Sequence, residues 1–153
     1  MLTLKELLEK YGSDIHFYKE IVSCEAVCEN GEITIKYIPN KTYSNTITNT
    51  DGQSIDYNIN LEGAFQPDAE VELNCYWYYG GLANARRTAF ETAFKCKDYN
   101  LFKATKKALL DTESYWCSPQ TISLSINGEP FGSIDYIDEF LFQHIDFQEC
   151  EHG

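Results

Sequence analysis

The residues predict an α+β fold: an antiparallel sheet built from hairpins, packed against a central helix pair, with short helices near the N- and C-termini. Three observations carry this. Alternating apolar and polar residues flank the tight-turn pairs Asn30-Gly31 and Asn127-Gly128. An apolar stripe of helical period runs from Leu82 to Leu109. With 153 residues, 43% of them hydrophobic, and four prolines, the chain has enough apolar side chain to bury one core, so a single domain over residues 1–153 is expected.

Thr3 and Glu6 form a capping box, and Leu4, Leu7, Leu8 and Tyr11 recur at helical spacing before Gly12, so residues 3–11 are an amphipathic helix. From Glu20 the period falls to two: Val22, Cys24, Ala26 and Cys28 lead into Asn30-Gly31, and Ile33, Ile35 and Tyr37 lead out of it. A second hairpin is expected around Asn49, Thr50, Asp51 and Gly52, with Tyr43 and Ile47 before it and Ile55, Tyr57, Ile59 and Leu61 after it. A fifth strand from Glu70 to Tyr79 puts Val71, Leu73, Cys75, Trp77 and Tyr79 on one face and Glu70, Glu72, Asn74, Tyr76 and Tyr78 on the other.

Gly80 and Gly81 end that strand. Leu82, Ala85, Ala89, Phe90, Ala93, Phe94 and Cys96 then make one helical stripe, and a second helix is expected from a cap at Asn100 to about Thr112. After Ser118 and Pro119, Ile122, Leu124 and Ile126 alternate into Asn127-Gly128, and Phe131 to Ile134 return the chain. Ile137, Phe140, Leu141, His144 and Ile145 read as a closing helix capped by Asp135. No internal repeat or linker is present.

Charge is distributed unevenly. The chain carries 24 acidic and 12 basic side chains, a net charge of −12, which argues against general affinity for nucleic acid or anionic membrane. Residues 86–107 hold Arg86, Arg87, Lys95, Lys97, Lys103, Lys106 and Lys107 against Glu91 and Asp98, whereas residues 42–85 and 108–153 contain six and nine acids and no Lys or Arg. Asp135, Asp138, Glu139, Asp146, Glu149 and Glu151 therefore have few local counterions, and such a surface attracts a basic partner at an enhanced, salt-sensitive rate. Within the basic segment, Arg87, Glu91 and Lys95 follow at i+4 spacing and form ion pairs along one helix. The other readings of this segment are a phosphate contact by Arg86, Arg87, Lys103, Lys106 and Lys107, and pairing with the chain's own acidic lobe or with a second copy.

No run approaches the about 18 apolar residues of a membrane helix, and the N-terminal stretch lacks the basic and apolar regions of a secretory signal, so the expected address is cytoplasmic, that of the host cell for a phage-encoded chain. Cys24, Cys28, Cys75, Cys96, Cys117 and Cys150 are then expected to be free and mostly buried thiols. The sequon Asn40, Lys41, Thr42 carries no weight without secretion. Cys24, Cys28, Cys150 and His152 have metal-ligand chemistry but no second Cys-x-x-Cys knuckle, so no metal or organic cofactor is expected. A Cys/His dyad would draw on Cys75, Cys96 or Cys117 with His16 or His144, although His144 fits a buried hydrogen-bonded role better. Phosphate-loop, dinucleotide, nucleophile-elbow and His-Glu-x-x-His patterns are lacking, so no enzyme activity is expected.

Eleven of the 22 aromatic residues are tyrosines. Tyr76 and Tyr78 lie opposite Trp77, and on a wet face they offer the rigid amphipathic surface favoured at binding hot spots. Acidity, small size, tyrosine content and missing catalytic motifs suit a stoichiometric binder. In these general properties the chain is similar to small acidic anti-defence proteins of phages and mobile elements, of the anti-CRISPR and anti-restriction type, some of which mimic DNA charge. It is also similar to immunity proteins that neutralise basic toxin nucleases. The expected partner is a basic nucleic-acid-binding effector or nuclease, met through Asp135, Asp138, Glu139, Asp146, Glu149, Tyr76 and Tyr78. A small phosphate- or nucleotide-binding enzyme using the basic helices is the competing expectation.

Overall fold

The computed structural model describes residues 1–40, 43–48, 52–59, 61, 63–78, 84–111 and 119–150. In chain order they form α1 (Leu4–Tyr11), a 3-10 turn (Gly12–Asp14), β1 (His16–Phe17), β2 (Val22–Glu29), β3 (Glu32–Pro39), β4 (Tyr43–Thr48), β5 (Ser54–Ile59) and β6 (Glu72–Tyr78). Then follow α2 (Asn84–Cys96), α3 (Tyr99–Asp111), β7 (Ile122–Ile126), β8 (Glu129–Ile134), α4 (Glu139–His144) and β9 (Ile145–Cys150). The class is α+β, with a mixed five-stranded sheet of order β1-β8-β7-β6-β9 and two antiparallel ribbons, β2-β3 and β4-β5. The chain divides into two compact units, Met1–Val71 with Ser125–Ser133, and Glu72–Leu124 with Ile134–Gly153.

In the first unit, α1 forms because its apolar residues share one face and its first turn is capped. The Thr3 hydroxyl accepts from the Glu6 amide at 3.2 Å, and Leu4, Leu7 and Tyr11 are buried. The β2-β3 ribbon turns at Asn30 and Gly31, whose φ angles of 52° and 80° are the left-handed pair a two-residue hairpin needs. Asn40 closes its base: the side-chain amide donates to the carbonyls of Lys19 and Glu20 at 3.1 and 2.8 Å. The sequon asparagine thus has a structural occupation. Phe131 of β8 packs against Phe17 and, edge-on, against Phe65, while Ile33 and Ile35 on β3 stand 78% and 58% exposed.

The second unit is organised around rings. Alternation along β6 buries Leu73, Cys75 and Trp77 and leaves Glu72 and Tyr76 exposed. Trp77 meets Phe90 and Phe94 of α2 at 5.6 and 5.3 Å between centroids. Phe147 of β9 stacks on Phe94 at 3.9 Å and also contacts Phe102 and Phe142. β9 runs parallel to β6, from Leu73 opposite Ile145 to Tyr78 opposite Cys150. A parallel pair needs a long crossover, and α2 and α3 lie within it.

The turn between α2 and α3 holds this arrangement in place. Lys97 takes a left-handed φ of 54°, and the Asp98 amide donates back to Ala93 O at 2.9 Å, the six-to-one bond of a helix C-terminus. The Asp98 carboxylate then accepts from the Leu101 amide at 3.0 Å and caps α3. Lys97 Nζ donates to Ile145 O at 2.7 Å, and Gln143 Nε2 donates to Lys97 O at 3.2 Å.

Several expectations need correction. The main sheet is mixed rather than antiparallel, because the expected closing helix stops at His144 and the chain continues as β9. Ile145 belongs to both the helical spacing and the alternation that follows, and pairing with the distant β6 decides between them. Asp138, not Asp135, caps α4, its Oδ1 accepting from the Leu141 amide at 2.8 Å; Asp98, not Asn100, caps α3. Cys75 is buried, whereas Cys24, Cys28 and Cys96 are exposed. The expected turn residues Asn49, Thr50 and Asp51, the start of the helical stripe at Leu82, and Cys117 lie outside the described residues. Asp98→Ala should lower stability by about 1 kcal/mol, the usual worth of an N-cap, and Asn100→Ala by clearly less; urea unfolding of the two variants checks this.

Candidate functional site

Two surfaces of the second unit carry the sequence-predicted site residues. The first is the open face of β6 and β9. Residues opposite one another on paired strands share a face, so Asn74 lies beside Asp146 and Tyr76 beside Gln148. Tyr76 is 55% exposed, and Gln148 Nε2 donates to Asp146 Oδ2 at 3.2 Å and to Asn74 Oδ1 at 3.5 Å. The result is a patch with one large ring beside a row of amides and a carboxylate. Tyr78 continues the strand opposite Cys150, its side chain lying outside the described residues.

The structure does not gather all the acidic residues there. Glu149 sits in the row of Trp77, where Arg87 Nε donates to it at 3.2 Å and to Glu91 at 3.1 Å. Of the expected run Arg87, Glu91, Lys95, the Arg87–Glu91 pair is present and is extended by the acidic segment itself, whereas among the described residues Lys95 has no carboxylate within 4 Å. Asp138 is half-buried and engaged as a cap, whereas Asp135 and Glu139 are exposed. Asp146 lies close enough to Lys97 to favour its charged form, although burial of the Lys97 ammonium against the rings of Phe142 and Phe147 is stronger and pushes its pKa down.

The second surface is a groove of about 570 Å³ along α3, where Lys103, Lys106 and Lys107 converge with Tyr99, Asn100, Phe102 and Ile137. Lys103 Nζ lies 5.1 Å from the centre of the Tyr99 ring and Lys106 Nζ 5.8 Å from that of Phe102. The expected basic set therefore separates: the three lysines share this groove, Arg87 is tied to carboxylates, and Arg86 is half-buried elsewhere on α2. Sequence reasoning missed Tyr99 and Ile137. The signal for Tyr99 was its i, i+4, i+8 alignment with Lys103 and Lys107.

Among the described residues the candidate thiols and imidazoles lie in different settings. Burial raises the Cys75 pKa to about 12, against smaller opposing effects from Lys106 and a backbone hydrogen bond at Gln120, so the thiol is protonated at neutral pH and is a poor nucleophile. His16 is exposed in the first unit, His144 is half-buried and packs on Phe140 at 5.0 Å, and His152 lies outside the described residues. Among the described residues no group of three or more His, Cys, Asp or Glu side chains is placed to hold a metal ion, and no described helix is long and apolar enough to cross a membrane. The first unit also has an apolar hollow beside α1 and β3, lined by Leu4, Leu8, Ile35, Tyr37, Ile38 and Phe65.

No protein-family model, curated protein or solved structure matches the chain.

The thiols separate by reactivity. Under native conditions Cys24, Cys28 and Cys96 should alkylate well before Cys75. Because the folded Cys75 pKa of about 12 lies above the ordinary 9.0, its contribution to stability is full below pH 9 and is lost as pH rises toward 12. Unfolding measured from pH 8 to 12 should therefore fall less steeply for Cys75→Ala than for wild type.

Proposed function

We propose that this protein acts by stoichiometric binding to a basic protein partner, a nucleic-acid-binding effector or nuclease, through the open face of β6 and β9. The observation that carries this reading is Tyr76, a large ring 55% exposed on a strand whose opposite side is buried, with Asp146 on the same face. Exposed tyrosine on a rigid support loses little conformational entropy on binding and is enriched at hot spots. In this reading the helix pair α2 and α3 backs the strands and holds them in place. Asp135 and Glu139 add negative potential and steer approach rather than anchor it.

The net charge of −12 and the segregation of acids into stretches without Lys or Arg favour an inhibitor that presents negative charge to a surface evolved for nucleic acid. An anti-defence inhibitor of a phage or mobile element, of the anti-CRISPR or anti-restriction type, fits that description, acting in the cytoplasm of the host cell. The chemistry needed is recognition alone; no catalytic group, metal or cofactor enters it.

Affinity capture followed by binding kinetics on the captured protein tests the proposal. Tyr76→Ala should weaken binding by about tenfold or more, with little dependence on salt. Asp146→Lys should act mainly through slower association, an effect that shrinks at high salt. Asp138 is unsuitable for charge reversal because its loss uncaps α4. Recovery of a toxin nuclease would assign the immunity class. Wild-type affinity in both variants, together with loss of binding in Lys103→Glu and Lys107→Glu, would overturn the proposal.

A further inference from the structure

The α3 groove has features that the binding of a basic protein does not use. In a chain with a twofold excess of acids, Lys103, Lys106 and Lys107 all line one hollow of about 570 Å³. Among the described residues, none of the three has a carboxylate within 4 Å. Lys106 is half-buried over Phe102. Burial lowers its pKa, and the titratable group that acts on it, Cys75, is a thiol protonated at neutral pH. A partly desolvated cation without a counterion is costly, and an incoming anion offsets that cost. Three separate point charges suit a phosphate chain with its several oxygens.

The other end of the groove differs. Tyr99 is half-buried, with its hydroxyl donating to Ile137 O at 3.3 Å, so the ring is fixed in place. The carboxylates of Asp138 and Glu139 lie near enough to that hydroxyl to oppose its ionisation, adding to the larger effect of burial. Carboxylates so close to the Tyr99 hydroxyl can accept hydrogen bonds from hydroxyl or amine groups. From Tyr99 to Lys107 is eight residues of helix, a rise of about 12 Å. The groove therefore offers cations along its length, with the Lys103 ammonium over the Tyr99 ring, beside an aromatic and apolar wall of Tyr99 and Ile137.

We propose that the α3 groove binds a mononucleotide, its phosphates among Lys103, Lys106 and Lys107 and its base and ribose against Tyr99 and Ile137. A polynucleotide fits less well, because a strand running beyond three lysines meets a protein of net charge −12. The groove's size lies within the range of small-molecule sites. This site is independent of the β6-β9 face and of the partner proposed for it.

Calorimetric titration of the full chain with ATP, adenosine, inorganic tripolyphosphate and a short single-stranded oligonucleotide tests the proposal. ATP should bind more tightly than adenosine or tripolyphosphate, and Lys103→Ala and Lys106→Met should each weaken it by about three- to tenfold. Tyr99→Leu should weaken ATP and leave tripolyphosphate unchanged, and Arg86→Ala should change neither. Melting curves establish that each variant is folded; Lys103 is exposed, so Lys103→Ala preserves the test if Lys106→Met does not fold. Tripolyphosphate binding as tightly as ATP, with Tyr99→Leu without effect, would mean a plain anion patch and overturn the proposal. Binding of the oligonucleotide but not of ATP, or of no ligand up to about 5 mM, would overturn it equally.

Discussion

Burial of one aromatic cluster holds the second unit together. Trp77, Phe90, Phe102 and Phe142 are almost wholly removed from water, and Phe94, Tyr99 and Phe147 pack against them. Each such ring removes a large apolar area from solvent, and offset or tilted contacts between rings add to that gain. The functional surfaces follow from how the rings are supplied. Trp77 points inward from β6, so its neighbour Tyr76 points outward. Phe102 faces the cluster from α3, and the lysines at positions 103, 106 and 107 ring the helix around that contact. Lys97 joins the pieces: its left-handed backbone ends α2, its ammonium holds the Ile145 carbonyl at the start of β9, and its own carbonyl receives Gln143.

Charge divides into what the fold uses and what it leaves for ligands. Arg87 pairs with both Glu91 and Glu149, and the Asp138 and Asp98 carboxylates accept helix amides. These groups contribute to structure. Tyr76 with Asp146 on the sheet face, and Lys103, Lys106 and Lys107 with Tyr99 on α3, remain outside those pairings. The two surfaces suit ligands of opposite sign, and the negative one is favoured at long range by a chain of net charge −12.

How much of this was legible in the sequence depended on the range of the interactions. The hairpin turns at Asn30-Gly31 and Asn127-Gly128 and the cap of α1 at Thr3 are local, and residues within a few positions specify them. The outward position of Tyr76 followed from alternation alone. The parallel strand β9 did not. Its alternation is short and overlaps the helical spacing of Ile137, Phe140, Leu141 and His144, and its pairing partner lies in β6, on the far side of two helices. The caps at Asp98 and Asp138 were displaced by two and three positions, because capping residues of similar chemistry stand at Asn100 and Asp135. The seven basic residues read as one segment, yet the fold sends Arg87 to an ion-pair network, Lys97 to the Ile145 carbonyl and Lys103, Lys106 and Lys107 to a groove.

In the proposed function a protein partner sits on the open face of β6 and β9, and site-specific photocrosslinking tests that placement most directly, whatever the partner's identity. A photoreactive phenylalanine analogue replaces Tyr76 and, in a separate variant, the exposed Ile33 of the other unit. Position 76 should capture one basic protein in near-stoichiometric yield, and position 33 should not. Capture of that protein from position 33 alone, with position 76 silent, would contradict the placement.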